Sequence, residues 1–299
     1  MLESYLVEES SLKTLSFHKD EPLAPHSTFG IGGQCDYFVT PFTENALIQL
    51  ISFLKRNAIR FFVIGNGSNL LFDDDGFRGC IISTKELRSL RFDKSEIEVG
   101  CGYSLIALSS LAQKRSLSGL EFACSIPATI GGAIYMNAGA YGGEMKNIVT
   151  TVRYLDKDGT LCETDEHNFS YRHSIYQEEE RVILSCRLSL TVGNSDAILA
   201  TMNENKRKRE ATQPIKEKSA GSVFRRSDSC IPARLIDEMG LKGLAIGGAE
   251  VSRKHAGFII NRGNATANDV LLLIDQIRTI INEECNQDLS CEIKYIPSV

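Results

Sequence analysis

The residues from Gly119 to Glu144, Gly-Leu-Glu-Phe-Ala-Cys-Ser-Ile-Pro-Ala-Thr-Ile-Gly-Gly-Ala-Ile-Tyr-Met-Asn-Ala-Gly-Ala-Tyr-Gly-Gly-Glu, gather six glycines and five alanines around one proline and one asparagine. Side chains this small let a backbone come close to something flat or bulky. Upstream, Ile64-Gly-Asn-Gly-Ser-Asn-Leu70 follows an apolar run and offers clustered backbone N–H groups, the chemistry of a phosphate cradle. Together the two stretches predict two contacts with one dinucleotide: a cradle for the diphosphate and a wall for the ring. The competing reading makes both of them tight turns of a glycine-rich fold. It weighs more heavily on the shorter loop, because short glycine motifs recur widely. A Rossmann turn is disfavoured there, since no third glycine opens a helix; Leu70-Leu-Phe72 continues as apolar and Asp73-Asp-Asp75 follows at once.

The elements that must position these loops are legible from spacing. Thr43 can cap a helix whose apolar positions are Leu47, Leu50, Ile51 and Leu54, and Arg60–Ile64 is a strand that delivers the chain to the first loop. Short strands are expected near Gly79–Ser83 and Ile97–Cys101, then a helix from about Ser104 to Arg115, and a β-rich segment at Val149–Asp156 and Val182–Val192. This is an alternating α/β unit. A boundary falls at the polar, helix-like stretch Gly193–Pro214, in which Lys206-Arg-Lys-Arg209 reads as a solvated helix end. Beyond it come a short helix at Ile231–Met239, a strand at Ala256–Ile260, and a long amphipathic helix. Thr266 and Asp269 form that helix's capping box, and Val270, Leu273, Ile274, Ile277 and Ile281 its buried stripe. Cys291–Ile296 alternates as a final strand, and residues 1–20 carry little pattern.

A chain of 299 residues can bury a substantial core in two or three domains. Its net charge of −5 and pI near 5.7 give no reason to expect nucleic acid or an anionic membrane as the main partner. Nine scattered cysteines without a Cys-x-x-Cys pair, and a start lacking a basic region followed by an apolar run, predict reduced thiols in a cytoplasmic protein with no membrane insertion. No Cys/His spacing suggests a metal site.

Taken in order, several motifs resemble the flavoprotein family of UDP-N-acetylenolpyruvoylglucosamine reductases. They are His26-Ser-Thr-Phe-Gly-Ile-Gly-Gly33, Ile64–Leu71 with Asp75-Gly-Phe77, Gly119–Glu144, Phe169-Ser-Tyr-Arg-His-Ser-Ile175, Gly221-Ser-Val-Phe224, Gly240-Leu-Lys-Gly243, Val251-Ser-Arg-Lys-His-Ala-Gly-Phe258 and Leu289-Ser-Cys-Glu-Ile293. The resemblance covers about Pro25 to Ile296. It implies an α+β fold: a two-part FAD-binding region of the vanillyl-alcohol-oxidase type at 21–193 (21–86 and 87–193), then an α+β substrate domain at 194–299, with 1–20 as an extension. It also implies non-covalent FAD, NADPH as reductant, a UDP-sugar substrate and a monomeric enzyme of peptidoglycan precursor synthesis. Between Tyr176 and Gly221 the chain is too short for the tyrosine-bearing loop of one family branch, so the second branch, with a more open cleft, is expected. Ser227-Asp-Ser-Cys230 and Pro297 depart from the family pattern.

The implied reaction passes hydride to the methylene carbon of an enolpyruvyl ether, which leaves an enolate beside a carboxylate that must be stabilised and then protonated. Arg172 matches the family's cation; its planar, permanently charged fork can hold the carboxylate and enolate oxygen together. Ser222 matches the proton donor, where position matters more than acidity, with nearby Ser219 as a rival. Glu292 matches a group that polarises the enolate or relays a proton, although a glutamate alternating with apolar residues is also a strand's wet face. His255 is the titratable alternative, assigned a substrate-side or structural part. Tyr171, Arg226 and Lys254 are expected to join it at the substrate. For the cofactor, Gly65, Asn66, Gly67, Ser68 and Asn69 should embrace the diphosphate. Ser125, Ile126, Pro127, Gly131, Gly132, Asn137 and Gly139 should approach the flavin or its ribityl chain. The nearest rival is an FAD oxidase or dehydrogenase of the same fold acting on an alcohol or sugar; a flavin or nucleotide-sugar binding protein without turnover is the other.

Overall fold

Thr43 opens the helix Glu44–Arg56 as its spacing predicts, the hydroxyl accepting a hydrogen bond from Ala46 N at 3.1 Å. Leu47, Leu50, Ile51 and Leu54 are fully buried beneath it. Each such side chain contributes roughly 1.5–3 kcal/mol by leaving water. The same logic places Leu105–Lys114 behind its cap Ser104 and Ala267–Cys285 behind the Thr266/Asp269 capping box. The computed structural model describes residues 1–227 and 230–299.

The chain divides into two compact units, each assembled from separate segments. The first comprises Met1–Lys19, Tyr37–Asn66 and Gly79–Lys208. Its five-stranded antiparallel sheet runs in the order Leu161–Thr164, Val149–Leu155, Val182–Ser189, Glu96–Gly100, Leu90–Asp93. The strands Phe61–Ile64 and Phe77–Ser83 pair in parallel. Residues 1–20, which lack a pattern in sequence, form the helix Leu2–Ser11 and most of the strand Leu15–Pro22. The helix tucks Leu2 and Leu6 into the first unit's core. Two buried residues over ten positions are too sparse a stripe to read as amphipathic.

The second unit comprises Asp20–Asp36, Gly67–Arg78 and Arg209–Val299. Its own core joins Phe29, Leu71, Val223 and Phe224 to the stripe Val270, Leu273, Ile274, Ile277 and Ile281. Two strands differ from the spacing. The expected strand at Ala256–Ile260 begins only at Ile259, running Ile259–Asn261, because Ala256 and Gly257 form a turn closed by Phe258 N donating to His255 O at 3.0 Å. The expected strand Cys291–Ile296 is split: Cys291 bridges Phe224, and Lys294–Ile296 pairs in parallel with Leu70–Phe72. That parallel pairing is why Gly67–Arg78 clusters with the C-terminal third of the chain.

Candidate active site

In the first unit the two glycine-rich stretches meet. Asn66 Nδ2 donates to Pro127 O at 3.1 Å, and a Cβ on Gly65 would lie 2.1 Å from Thr129 Oγ1. Thr129 is the hinge of this arrangement: buried, it caps the short helix Ile130–Tyr135 through Gly132 N at 3.3 Å while its hydroxyl fills the space a side chain at Gly65 would need. Gly131 is small for a different internal reason, since its Cβ would sit 2.9 Å from Cys101 Cβ. Gly132 differs from both. It is exposed, and a Cβ there meets only Thr129 Oγ1, at 3.4 Å. A glycine that the protein itself does not require, at the centre of the expected wall, fits a surface left bare for a flat ring.

This contrast yields an expected result. Gly131→Val should destabilise the fold by about 1–3 kcal/mol through overpacking while Gly132→Val unfolds near the parent temperature yet retains little FAD. Flavin absorbance per protein and thermal midpoints of the two variants check it, and normal flavin content in Gly132→Val would remove the residue from the site.

Arg172 occupies a tight turn. Ser170 and His173 exchange two backbone hydrogen bonds of 3.2 Å, and Arg172 between them has φ +55°, a region that non-glycine residues rarely enter. Its guanidinium reaches Gly139 O at 3.4 Å and lies 4.9 Å from the centre of the Tyr171 ring. Asn137 is fully buried. Its Nδ2 donates to Glu144 Oε2 at 2.7 Å and Ser170 O at 2.9 Å, and its Oδ1 accepts from Lys146 N at 3.0 Å. The side chain is committed to protein partners, so any approach to the flavin at this position is by backbone.

In the second unit, residues 222–225 are held from two sides by isolated β-bridges. Ser222 bridges Phe258 on one side and Phe224 bridges Cys291 on the other. Glu292 N donates to Val223 O at 2.7 Å, which sets the backbone of Glu292 alongside the segment that carries Ser222. Asn69 is tied in here too, with Nδ2 on Glu292 O at 3.0 Å and its carbonyl accepting from Lys294 N at 2.9 Å. Gly67 has φ +63°, and its Cβ would lie 2.3 Å from His26 O, so only glycine fits. Ser68 is half-buried beside it. The rival Ser219 is bound through its backbone in both directions: N to Thr28 O at 3.1 Å, and O from Thr28 Oγ1 at 2.7 Å.

The expected substrate residues are spread over both units. Tyr171, in the first, is exposed. In the second, Arg226 is exposed, and Lys254 is exposed with its ammonium on Glu210 O at 2.5 Å. His255 packs edge-on against Phe258 and accepts from Gly257 N at 3.1 Å. Burial, then the nearby Lys242 ammonium, holds its pKa below the usual histidine value, so it is neutral at pH 7 and an acceptor at Nδ1. Asp228 and Ser229 lie outside the described residues, and with them the departure at 227–230.

Sequence reading missed Thr129, Thr28 and Gln177. Thr129, three residues before Gly132, is readable as a helix cap, but that it also fills the space at Gly65 depends on the fold. Gln177 carries no motif; its amide meets Tyr135 O and Arg172 O, 42 and 5 residues away. All nine cysteines are free; burial pushes the Cys101 thiol beside Gly131 up to about 12, so it is inert packing. Among the described residues no group of three or more His, Cys, Asp or Glu could hold a metal ion, and no helix is long and apolar enough to cross a membrane.

Comparison with known proteins bears on this site in each half of the chain. Residues 35–165 match the model of an FAD-binding domain, and residues 213–296 match the C-terminal domain of UDP-N-acetylenolpyruvoylglucosamine reductase. The reductase of that name from Caldanaerobacter subterraneus subsp. tengcongensis is 42% identical over 287 residues, covering 95% of each chain. That of Clostridium botulinum is 39% identical over 279 residues, 93% of this chain and 91% of its own. The crystal structure of the reductase from Thermus caldophilus superposes with a TM-score of 0.80 at 35% identity, over 95% of this chain and 99% of the other. A glucose dehydrogenase at 15% identity and a TM-score of 0.52 shares the fold alone. The fold is thus the expected α+β one, FAD is its cofactor, and the chain is an oxidoreductase that belongs to the UDP-N-acetylenolpyruvoylglucosamine reductase family.

Proposed function

We propose that this protein reduces the enolpyruvyl ether of UDP-N-acetylglucosamine to the lactyl ether of UDP-N-acetylmuramate, with NADPH as reductant, acting as a monomer in the cytoplasm. FAD, bound without a covalent link, supplies the hydride carrier between NADPH and the enolpyruvyl methylene carbon. The chain's own residues do the rest. Arg172 holds the carboxylate and the oxygen on which negative charge develops; a fixed guanidinium fork stabilises that charge without reorganising as it forms. Ser222 donates the proton to the carbon next to the carboxylate. Glu292, on the adjacent segment, polarises the enolate or returns a proton to Ser222. Gly65 to Asn69 take the diphosphate, and Gly132 the ring. Tyr171, Arg226, Lys254 and His255 face the UDP-sugar.

The observation that carries this reading is Arg172. A cation held in a strained turn, with its guanidinium on the carbonyl of Gly139 in the glycine-rich wall, suits an enzyme that must bind an anion beside its flavin. Backbone strain of this kind gathers at functional sites. Oxidation of an alcohol or sugar develops no enolate and gives Arg172, Ser222 and Glu292 no task. Anaerobic mixing of the yellow protein with NADPH should bleach the flavin absorbance. Purified protein that carries FAD but is bleached by neither NADPH nor NADH would contradict the reductase reading.

A further inference from the structure

The turn that carries Arg172 closes on itself through the Ser170–His173 pair, and those two bonds do not fix where the turn points. Side chains from outside it do. Gln177 Nε2 donates to Arg172 O at 2.9 Å and to Tyr135 O at 2.7 Å. Ser174 Oγ donates to Tyr135 O at 2.8 Å, and Asn137 Nδ2 donates to Ser170 O at 2.9 Å. Tyr135 and Asn137 sit at the end of the helix that begins with Ile130, Gly131 and Gly132. Gln177 is half-buried, and its two amide hydrogens match the two carbonyls it meets.

We infer that Gln177 is a positioning residue for the reaction: one side-chain amide pins the carbonyl of the strained Arg172 to the glycine-rich wall and so sets the distance between guanidinium and substrate carboxylate. The inference rests on the reading of Arg172 as the enolate-binding cation. A non-glycine residue at φ +55° favours relaxing toward negative φ, and relaxation would swing the guanidinium away from Gly139. The Gln177 amide opposes that relaxation by donating one hydrogen bond to Arg172 O while its second, to Tyr135 O, anchors the amide itself. Asn137 holds the other end of the turn, so Gln177 governs orientation rather than presence.

The test uses the full-length FAD-loaded protein and three substitutions. Gln177→Glu keeps the shape and removes the donors, Gln177→Met removes them without adding charge, and Gln177→Lys restores a donor head. Flavin reduction by NADPH and reoxidation by the enolpyruvyl substrate are timed separately. Hydrogen exchange at the Ser170 and His173 amides is read in the oxidised protein without substrate. With Glu or Met, reduction should stay within about twofold of the parent, and reoxidation should slow by about 10–100-fold, the cost of an ångström-scale misplacement. The two amides should exchange faster, and Lys should recover most of the loss. Reoxidation at the parent rate in both Glu and Met variants, with Arg172→Ala crippled, overturns the inference. Equal slowing of both half-reactions, or loss of FAD, overturns it too, because a merely structural role would do that. An Arg172→Ala variant reoxidised at the parent rate would instead remove the reading of Arg172 itself, and the inference with it.

Discussion

Ser222→Ala leaves the reduction of FAD by NADPH nearly unchanged and slows reoxidation by the enolpyruvyl substrate by roughly 10²–10⁴-fold, the range for losing a positioned general acid. The split follows from where the proton is needed. Reduction by NADPH involves no enolate, so the hydroxyl has no part in it; addition to the enolpyruvyl group leaves a basic carbon that must be protonated. A serine hydroxyl is a weak acid, but an enolate carbon is a strong base, and placement by the backbone links of Ser222 to Phe258 and of Val223 to Glu292 counts for more than acidity. Ser222→Cys should keep more activity, since a thiol carries its proton to nearly the same point. Ser219→Ala is the control, and its effect should be mild because Ser219 is held through its backbone by Thr28. Stopped-flow timing of both half-reactions decides between the two serines: parent-rate reoxidation in Ser222→Ala, or a crippled Ser219→Ala, would reassign the donor.

Arg172→Gly separates strain from chemistry. Glycine adopts φ +55° without the penalty an arginine bears there, so the variant should unfold at the parent temperature or slightly above it. Its reoxidation should nevertheless fall by roughly 10²–10³-fold, the effect of removing one preorganised group that stabilises developing negative charge. Arg172→Lys should land between, because an ammonium keeps the charge and loses the fork. Thermal midpoints and reoxidation rates are the measurements. A variant that loses stability and activity in proportion would make Arg172 a structural residue instead.

Helices and motif order were readable in the amino-acid sequence because both are local. Thr43, Ser104 and Thr266 each cap the helix their spacing announces, and the stripe Val270–Ile281 is buried as written. The N-terminal helix was illegible because it buries only Leu2 and Leu6. The break in Cys291–Ile296 was hidden because alternation reports which face is buried and not which strand is the partner: Cys291 bridges Phe224 in an antiparallel sense, Lys294–Ile296 pairs in parallel with Leu70–Phe72. At the site, glycine density marked a close approach but not its cause. Gly65 is small for Thr129 and Gly131 for Cys101, while at Gly132 the protein leaves the space open. Gln177 had no signal at all, since its role exists only once Tyr135 and Arg172 are brought within reach of one amide.

In the proposed cycle the enolpyruvyl ether, and not oxygen or an alcohol, reoxidises the flavin. Protein reduced anaerobically with NADPH, freed of excess nucleotide and mixed with UDP-N-acetylglucosamine enolpyruvate, should regain its yellow absorbance within the mixing experiment and release UDP-N-acetylmuramate in amounts matching the flavin. Flavin that stays reduced in the presence of that substrate, yet is promptly reoxidised by oxygen or another acceptor, would contradict reduction of the enolpyruvyl ether as the protein's function.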